Sequence, residues 1–341
     1  MNRNYATLKD VAQRAGTTAA TVSYVLNDSK GRYISEDMRK RVLQAAKELN
    51  YVKSNVASSL KGDKRRMIAV LIPQFSNQFF IKMILAIQAV ADQFGYLLSI
   101  YNTLDNPERE KEILRRMAQQ RMDGYIVVPS RAGTENTKQL REMKIPLVVV
   151  DRPLEGASGY PWVTTNNYQC GWCGGDYLAS RGHHRIGFVG WDSQIADLES
   201  RETGFWDALR TYNVREDEAV SLSGAFSEEA GYEMTRELLE KHPELTALFY
   251  GYNIQAKGGV KYLAEKKIAV GKELSVMMIG SPEWAVVGNN NFTHILQYEY
   301  ELGKQAATIL FSIINGEREM GPMEIRQNCS IYEGDSVSTL V

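Results

Sequence analysis

The 341-residue chain has little cysteine: Cys170, Cys173 and Cys329 are the only three. So few, and an odd number, exclude a disulfide framework and fit a reducing compartment. No stretch approaches the roughly 18 uninterrupted apolar residues of a membrane span. The start, M-N-R-N-Y-A-T, lacks the apolar core of an export signal, so a cytoplasmic protein with no membrane partner is expected. Glycine-rich phosphate loops, a hydrolase nucleophile elbow, internal repeats and low-complexity segments are all missing. His183 and His184 lack the spacing and the further ligands of a zinc site. No metal site and no cofactor are expected.

One motif carries a redox reading. Cys170-Gly-Trp-Cys173 follows a strand through Val163 and lies near a helix start at Asn166, where thiolates are stabilised. Helical cysteines are more commonly small buried apolar groups, and the chain is read as a non-enzyme.

What is present is a soluble-type composition with an uneven charge. Charged residues make up 24% and apolar residues 44%, enough for two or three packed units. The net charge of −1 hides an asymmetry: residues 1–66 hold fourteen Lys/Arg against six Asp/Glu, and the remainder 26 against 35. A basic segment on an acidic body points to a polyanion partner, nucleic acid.

That basic segment has its own organisation. Thr7 is placed to cap a helix with Asp10 in the capping-box position, and Gly16 ends it after about two turns. Thr18 caps a second helix, in which Val22, Val25 and Leu26 form the buried stripe and Ala19, Ala20, Ser23, Tyr24 and Asn27 face outward. This is a helix-turn-helix pattern. Ser35 caps a third helix running to about Leu49. About fifty residues bury little surface, so the unit is expected to be marginally stable alone. The polar, basic stretch 51–66 reads as a linker, within which Asn55 to Leu60 can form one short helix that needs a partner to persist.

From Met67 onward, apolar runs of four or five residues (Ile68–Ile72, Leu97–Tyr101, Tyr125–Val128, Leu147–Val150, Ile186–Val189, Ala247–Tyr250, Val276–Ile279) alternate with amphipathic stretches of helix length. Asn106-Pro107, Thr134, Asn166 and Ser227 open helices; Gly95, Gly182 and Gly316 close them. Buried strands separated by helices mean parallel sheets covered on both faces. The strands are too numerous for one such unit, so a break near residue 166 is expected between two Rossmann-like subdomains, with ligands beyond the carboxyl ends of the strands.

The run K-D-V-A-x-x-A-G-x-x-x-x-T-V-S-x-V-L-N, followed by A-x-x-L-x-Y and N-x-A-x-x-L, resembles the headpiece and hinge of the lactose/galactose repressor (LacI/GalR) family of bacterial transcription regulators. The resemblance continues through I-A-V-L-I-P (68–73), N-Q-F-F (77–80), Phe94-Gly95-Tyr96, Asp123-Gly124, I-P-L-V-V-V-D-R (145–152), R-G-H-H-R-I-G-F-V-G (181–190) and R-x-x-G-F (201–205). It implies an all-α helix-turn-helix headpiece (1–51), a hinge (52–66) and a periplasmic-binding-protein-like α/β core (67–341). The core would comprise an N-subdomain of about 67–166 plus 298–328 and a C-subdomain of about 167–297 plus 329–341, joined by three crossovers. It further implies a nucleoid-associated repressor, a homodimer on pseudopalindromic double-stranded operator DNA. A small-molecule effector, a sugar, sugar derivative or other metabolite, would bind between the subdomains. A solute-binding protein, which shares such a core, is disfavoured by the missing export signal and the basic segment.

The DNA-contact positions so implied are Thr7, Thr18, Ala19, Ala20, Ser23, Tyr24, Asn27, Asn55 and Leu60, the last as a minor-groove wedge. The effector positions are Phe79, Arg152, Arg201, Phe226 and Asn253. Three departures stand out. Tyr24 replaces the Arg or His of many members, Asn166 and Asn253 stand where Asp is common, and Gly280-Ser281-Pro282 replaces a Gly-aromatic-Asp turn. The cleft is expected to lose negative charge and to take a phosphorylated or carboxylated ligand, a modified sugar, or none.

Overall fold

The computed structural model describes residues 6–27, 33–52, 64–130, 136, 137, 140, 142–154, 159–287 and 291–340. It divides into two compact units, residues 1–65 and 66–341.

Among the described residues the first unit holds three helices, α1 (Leu8–Ala15), α2 (Ala19–Leu26) and α3 (Glu36–Glu48). The capping box of α1 is closed: the Asp10 amide donates to Thr7 Oγ1 at 3.3 Å, and the Thr7 amide donates to Asp10 Oδ2 at 2.7 Å. Gly16 turns the chain at a left-handed φ of 65°, and Arg41 Nη2 donates to the Ala15 carbonyl at 2.6 Å, satisfying one of the carbonyls that the helix end leaves open. Val11, Ala12, Ala15, Val22, Val25, Val42 and Ala45 form the core. Small side chains dominate it, so close approach replaces bulk.

The second unit contains two six-stranded sheets. Its strands are β1 (Met67–Ile72), β2 (Leu97–Asn102), β3 (Gly124–Val127), β4 (Leu147–Val150), β5 (Pro161–Thr165), β6 (Ile186–Trp191), β7 (Val220–Gly224), β8 (Ala247–Tyr250), β9 (Ser275–Ile279), β10 (Thr293–Leu296), β11 (Met323–Gln327) and β12 (Ser330–Tyr332). Its helices are α4 (Gln78–Gln93), α5 (Pro107–Gln119), α6 (Asn167–Ala179), α7 (Ala196–Thr211), α8 (Glu228–Lys241), α9 (Asn253–Glu265) and α10 (Glu299–Ile314), with a short 3₁₀ helix at Glu283–Val286. One sheet runs β11-β5-β4-β3-β1-β2, the other β12-β10-β9-β8-β6-β7. Every pairing is parallel except β10 with β12. The central strands are wholly buried, as parallel strands covered on both faces must be.

The chain passes between the sheets three times: after β5 into α6, after β10 into α10, which packs on α4 and β3–β5, and from β11 to β12. Asn106, Asn166 and Ser227 cap α5, α6 and α8 as their side chains suggest; Thr134 lies outside the described residues. His183, considered above with zinc, is buried with Nδ1 2.9 Å from Thr246 Oγ1 and Nε2 3.0 Å from the Ser338 carbonyl, so both ring nitrogens are occupied within the fold.

Helices on the same lobe pack backbone to backbone where glycine permits. A Cβ on Gly171 of α6 would lie 1.7 Å from the Arg201 carbonyl oxygen of α7, and one on Gly204 would lie 2.1 Å from the Tyr168 carbonyl oxygen. Without these glycines α7, which carries Arg201, cannot seat on α6. Gly171→Ala is therefore expected to destabilise the protein by about 1–3 kcal/mol through overpacking. Gly321→Ala, whose Cβ meets nothing within 4 Å, is expected to be near neutral. Thermal unfolding of the two variants distinguishes them, and equal melting temperatures would contradict this packing.

Candidate effector cleft and DNA-facing helix

In the first unit, α2 presents a small outward face. Thr18 caps it, accepting from the Thr21 amide at 3.2 Å, and Asn27 Nδ2 donates to Ser23 Oγ at 3.1 Å. Ala20, Tyr24 and Asn27 are exposed, whereas Ser23 and Ala19 are half-buried. Ala19 differs from its expected outward placement because the first turn of α2 tucks against the headpiece core. Thr7 serves as the cap of α1. Asn55 and Leu60 lie outside the described residues.

In the second unit, Phe79, Arg152, Arg201, Phe226 and Asn253 all line one cleft between the two sheets. They arrive from separate places: Phe79 from the first turn of α4, Arg152 just after β4, Arg201 from α7, Phe226 from the loop after β7 and Asn253 from the start of α9. Each of β4, β7 and β8 delivers its residue beyond its carboxyl end.

The cleft also contains residues that the sequence reading did not single out. Trp191 ends β6 and Tyr252 follows β8; with Phe226 they form a three-ring cluster, Trp191–Phe226 at 4.7 Å, Trp191–Tyr252 at 5.5 Å and Phe226–Tyr252 at 5.6 Å between centroids. The Arg152 guanidinium lies 5.3 Å from the centre of the Trp191 ring and that of Arg201 lies 4.4 Å from Tyr252, cation–π contacts in a desolvated setting. Asp151, Asn77 and Gln297 complete the polar lining.

Both arginines are pre-set. Arg201 is buried and donates from Nε to Asn167 Oδ1 at 2.8 Å and from Nη1 to the Gly251 carbonyl at 2.7 Å. Asn167 in turn donates to Asp197 Oδ2 at 2.7 Å, and Arg326 of β11 donates to Asp197 Oδ1 at 2.6 Å. The orientation of Arg201 is thus tied to a strand of the other sheet. Arg152 pairs with Asp105 and donates to the Pro129 carbonyl at 3.3 Å, while its buried Nε has no hydrogen-bond partner. Asp151, held in a left-handed turn at φ 66°, is buried beside both arginines. Burial raises its carboxyl pKa, and the charges of Arg152 and Arg201 oppose that rise. Burial likewise pushes the Tyr252 phenol up to about 12.

Of the two positions where an amide stands in place of the expected Asp, Asn253 lines the cleft and Asn166 is not among its lining residues. Asn166 caps α6, accepting from the Gln169 amide at 3.1 Å, but Asp151 supplies a carboxylate inside the cleft. Asn253 Nδ2 reaches Asn77 Oδ1 across the cleft at 3.5 Å. Ser281, in the altered turn after β9, accepts from Lys82 Nζ of α4 at 2.7 Å through its carbonyl and 3.0 Å through its hydroxyl; the Glu283 amide donates to Gln78 Oε1 at 2.8 Å. These bonds latch the lobes. The cleft is narrow and partly open to solvent: about 40 Å³ of it admits the centre of a water-sized sphere.

The redox reading of Cys170 and Cys173 does not describe an enzyme site. Cys170 is fully buried, and the Cys329 side chain and burial push the Cys173 thiol up, the reverse of an activated thiolate.

Comparison with known proteins agrees with this anatomy. The family described as bacterial regulatory proteins, lacI family, matches residues 7–54, and a periplasmic binding protein domain matches residues 68–318. An HTH-type transcriptional repressor PurR of Escherichia coli is 32% identical over 334 residues, covering 98% of this chain and 97% of the relative. Its Klebsiella pneumoniae (strain 342) counterpart is 32% identical over 315 residues, 92% of each chain. Among solved structures, a LacI-family transcriptional regulator from Silicibacter pomeroyi is 27% identical with a TM-score of 0.80, covering 98% of this chain and 99% of that one. A LacI-family regulator from Enterococcus faecium with bound ribose is 26% identical with a TM-score of 0.72, covering 81% and 100%. The lac repressor dimer bound to operator and an anti-inducer, at 22% identity, shares the fold with a TM-score of 0.83, covering 98% and 100%. The family is not enzymatic. The chain belongs to the lacI family of bacterial regulatory proteins and is a DNA-binding transcriptional regulator with an effector-binding core.

Proposed function

We propose that this regulator is a cytoplasmic repressor that binds a pseudopalindromic operator as a homodimer and is controlled by an uncharged, polyhydroxylated molecule of monosaccharide size held between its lobes. The observation that carries the effector reading is the charge pairing in the cleft. Arg152 pairs with Asp105, Asp151 lies within the field of both arginines, and the remaining lining is aromatic, aliphatic or amide. Rings that stack on a sugar face, two arginines and an aspartate that exchange hydrogen bonds with hydroxyls, and no surplus charge suit a neutral ligand better than a phosphate or carboxylate. The ribose bound by the Enterococcus relative is of that class.

The repressor role follows the PurR relatives, which are named repressors. In the DNA reading, α2 enters the major groove with Ala20, Tyr24 and Asn27 foremost and Ala19 and Ser23 beside them; Thr7 and Thr18 approach the backbone, and Asn55 and Leu60 act at the minor groove. In the domain reading, residues 1–51 recognise DNA, 52–66 form the hinge, and residues 67–341 bind effector and dimerise. Support for a homodimer comes from β2, an edge strand with Leu97 65% exposed, and from Leu85 on α4 and Val287 after the 3₁₀ helix, 59% and 58% exposed. An apolar edge of this kind needs a cover, and the lac repressor, which shares the fold, is a dimer on its operator.

Two experiments test this. In binding-site selection, Tyr24→Arg is expected to gain a guanine preference worth about 1–3 kcal/mol at one position of each half-site, since Arg is bidentate to O6/N7 and Tyr is not; selection identical to wild type would contradict the placement of Tyr24. In a thermal-shift screen, a neutral sugar or polyol is expected to stabilise the core, by about 2.7 kcal/mol at a hundred times its dissociation constant. Stabilisation by sugar phosphates or acids alone would contradict the neutral-ligand reading.

A further inference from the structure

All three cysteines of the chain meet at one place outside the cleft. Cys170 and Cys173 are three residues apart on α6, hence on one face. Cys329 comes from the two-residue connection between β11, in one sheet, and β12, in the other. Cys173 and Cys329 are half-buried and pack against the apolar cluster that contains Cys170. The Cys173 and Cys329 thiols act electrostatically on each other, as do those of Cys329 and Cys170. The connection is further held to α6 by the Cys329 amide, which donates to Gln169 Oε1 at 3.2 Å, and by Asn166 Nδ2, 3.5 Å from Asn328 Oδ1. Two partly exposed cysteines that pack on one cluster, on segments hydrogen-bonded to each other, are positioned for a bond that neither effector binding nor DNA binding uses.

We propose that Cys173 and Cys329 form a reversible disulfide by exchange with a low-molecular-weight disulfide of the oxidised-glutathione class, pinning the β11–β12 crossover to α6. The sulfur of one cysteine, deprotonated, attacks one sulfur of the external disulfide, giving a mixed disulfide and releasing one small thiolate. The neighbouring cysteine sulfur, on losing its proton, attacks the protein sulfur of that mixed disulfide, forming the Cys173–Cys329 bond and releasing the second small thiolate. Both leaving groups take up the protons that the cysteines gave. Two protein sulfurs are oxidised and the two external sulfurs reduced, so no other oxidant is needed.

The surroundings set the rate. The Cys329 side chain, burial and the nearby Asp176 carboxylate all hold Cys173 protonated; Cys329, acted on by Cys170, is pushed up to about 12. Asp176, which accepts from the Tyr212 hydroxyl at 2.9 Å, and the three thiols themselves are the groups that act on the pair. Exchange is accordingly slow near neutrality and driven by sustained oxidation, unlike that of a thiolate sensor.

The test incubates the reduced full-length protein with oxidised glutathione under native conditions and maps its disulfides by mass spectrometry. The expected product is an intramolecular Cys173–Cys329 link, with a rate that rises roughly tenfold per pH unit without a plateau at the usual thiol pKa near 8.5. Amide exchange at Asn328–Ser330 is expected to slow on oxidation. Cys170→Ala is expected to leave the link intact, while Cys329→Ser is expected to stop at a glutathione adduct. Glutathione adducts alone in the wild type, links only between protomers, a Cys170–Cys329 link, or a reaction that needs denaturant would each overturn the assignment; so would unchanged amide exchange in the linked protein. Because the wild-type map does not depend on any variant folding, misfolding of Cys329→Ser leaves the test decisive.

Discussion

The effector-binding core depends on how it keeps two buried guanidinium groups. Charge taken out of water is stable only when paired and hydrogen-bonded, and Arg152 and Arg201 meet that demand with groups from both sheets. Arg201 leans on Asn167, Asn167 on Asp197, and Asp197 on Arg326 of the opposite lobe. Arg152 takes Asp105 and keeps one buried N–H without a partner. The cleft is therefore assembled from both lobes, and a ligand that engages either arginine acts on the relation between them. Glycines at Gly171 and Gly204 make this possible by letting α7 close onto α6 at backbone distance.

The latch of Lys82 and Gln78 against Ser281 and Glu283 gives that relation a closed state. The same bonds narrow the cleft between the lobes, in which about 40 Å³ admits the centre of a water-sized sphere. A small molecule gains leverage over a large body only by binding one arrangement of the lobes better than another. At the other end of the chain, α2 offers few strong hydrogen-bonding groups. Its affinity for DNA must draw on the basic charge of residues 1–66 as much as on base contacts.

Much of this was legible in the chain. The capping box at Thr7 and Asp10, the Gly16 turn and the caps of α5, α6 and α8 are local chemistry, written in adjacent residues. The central strands announced themselves as continuous apolar runs because both faces are covered. Of the strands at the sheet margins only β2 was legible as an apolar run: Val220–Gly224 is only half-buried, Met323–Gln327 alternates Met, Glu, Ile, Arg and Gln, and Ser330–Tyr332 is three residues long. In the cleft, the five residues drawn from the resemblance do converge in space, but their roles remain a proposal. Trp191, Tyr252 and Asp151 read in sequence as the tails of buried strands, which hides their place in the cleft. The rule that ligands lie beyond strand carboxyl ends, applied strand by strand, would have flagged them. No spacing rule could join Cys329 to Cys173, since only the return of the chain from one sheet to the other brings them together.

The central claim is that the effector acts through the Arg201 network to change DNA affinity. The most direct measurement is operator affinity by fluorescence anisotropy, with and without the stabilising ligand, in the wild type and in Arg201→Gln. The account predicts that the ligand shifts wild-type affinity by tenfold or more, about 1.4 kcal/mol of coupling. It predicts that Arg201→Gln binds operator as the unliganded wild type does and no longer responds. A variant that retains the full ligand response would contradict it.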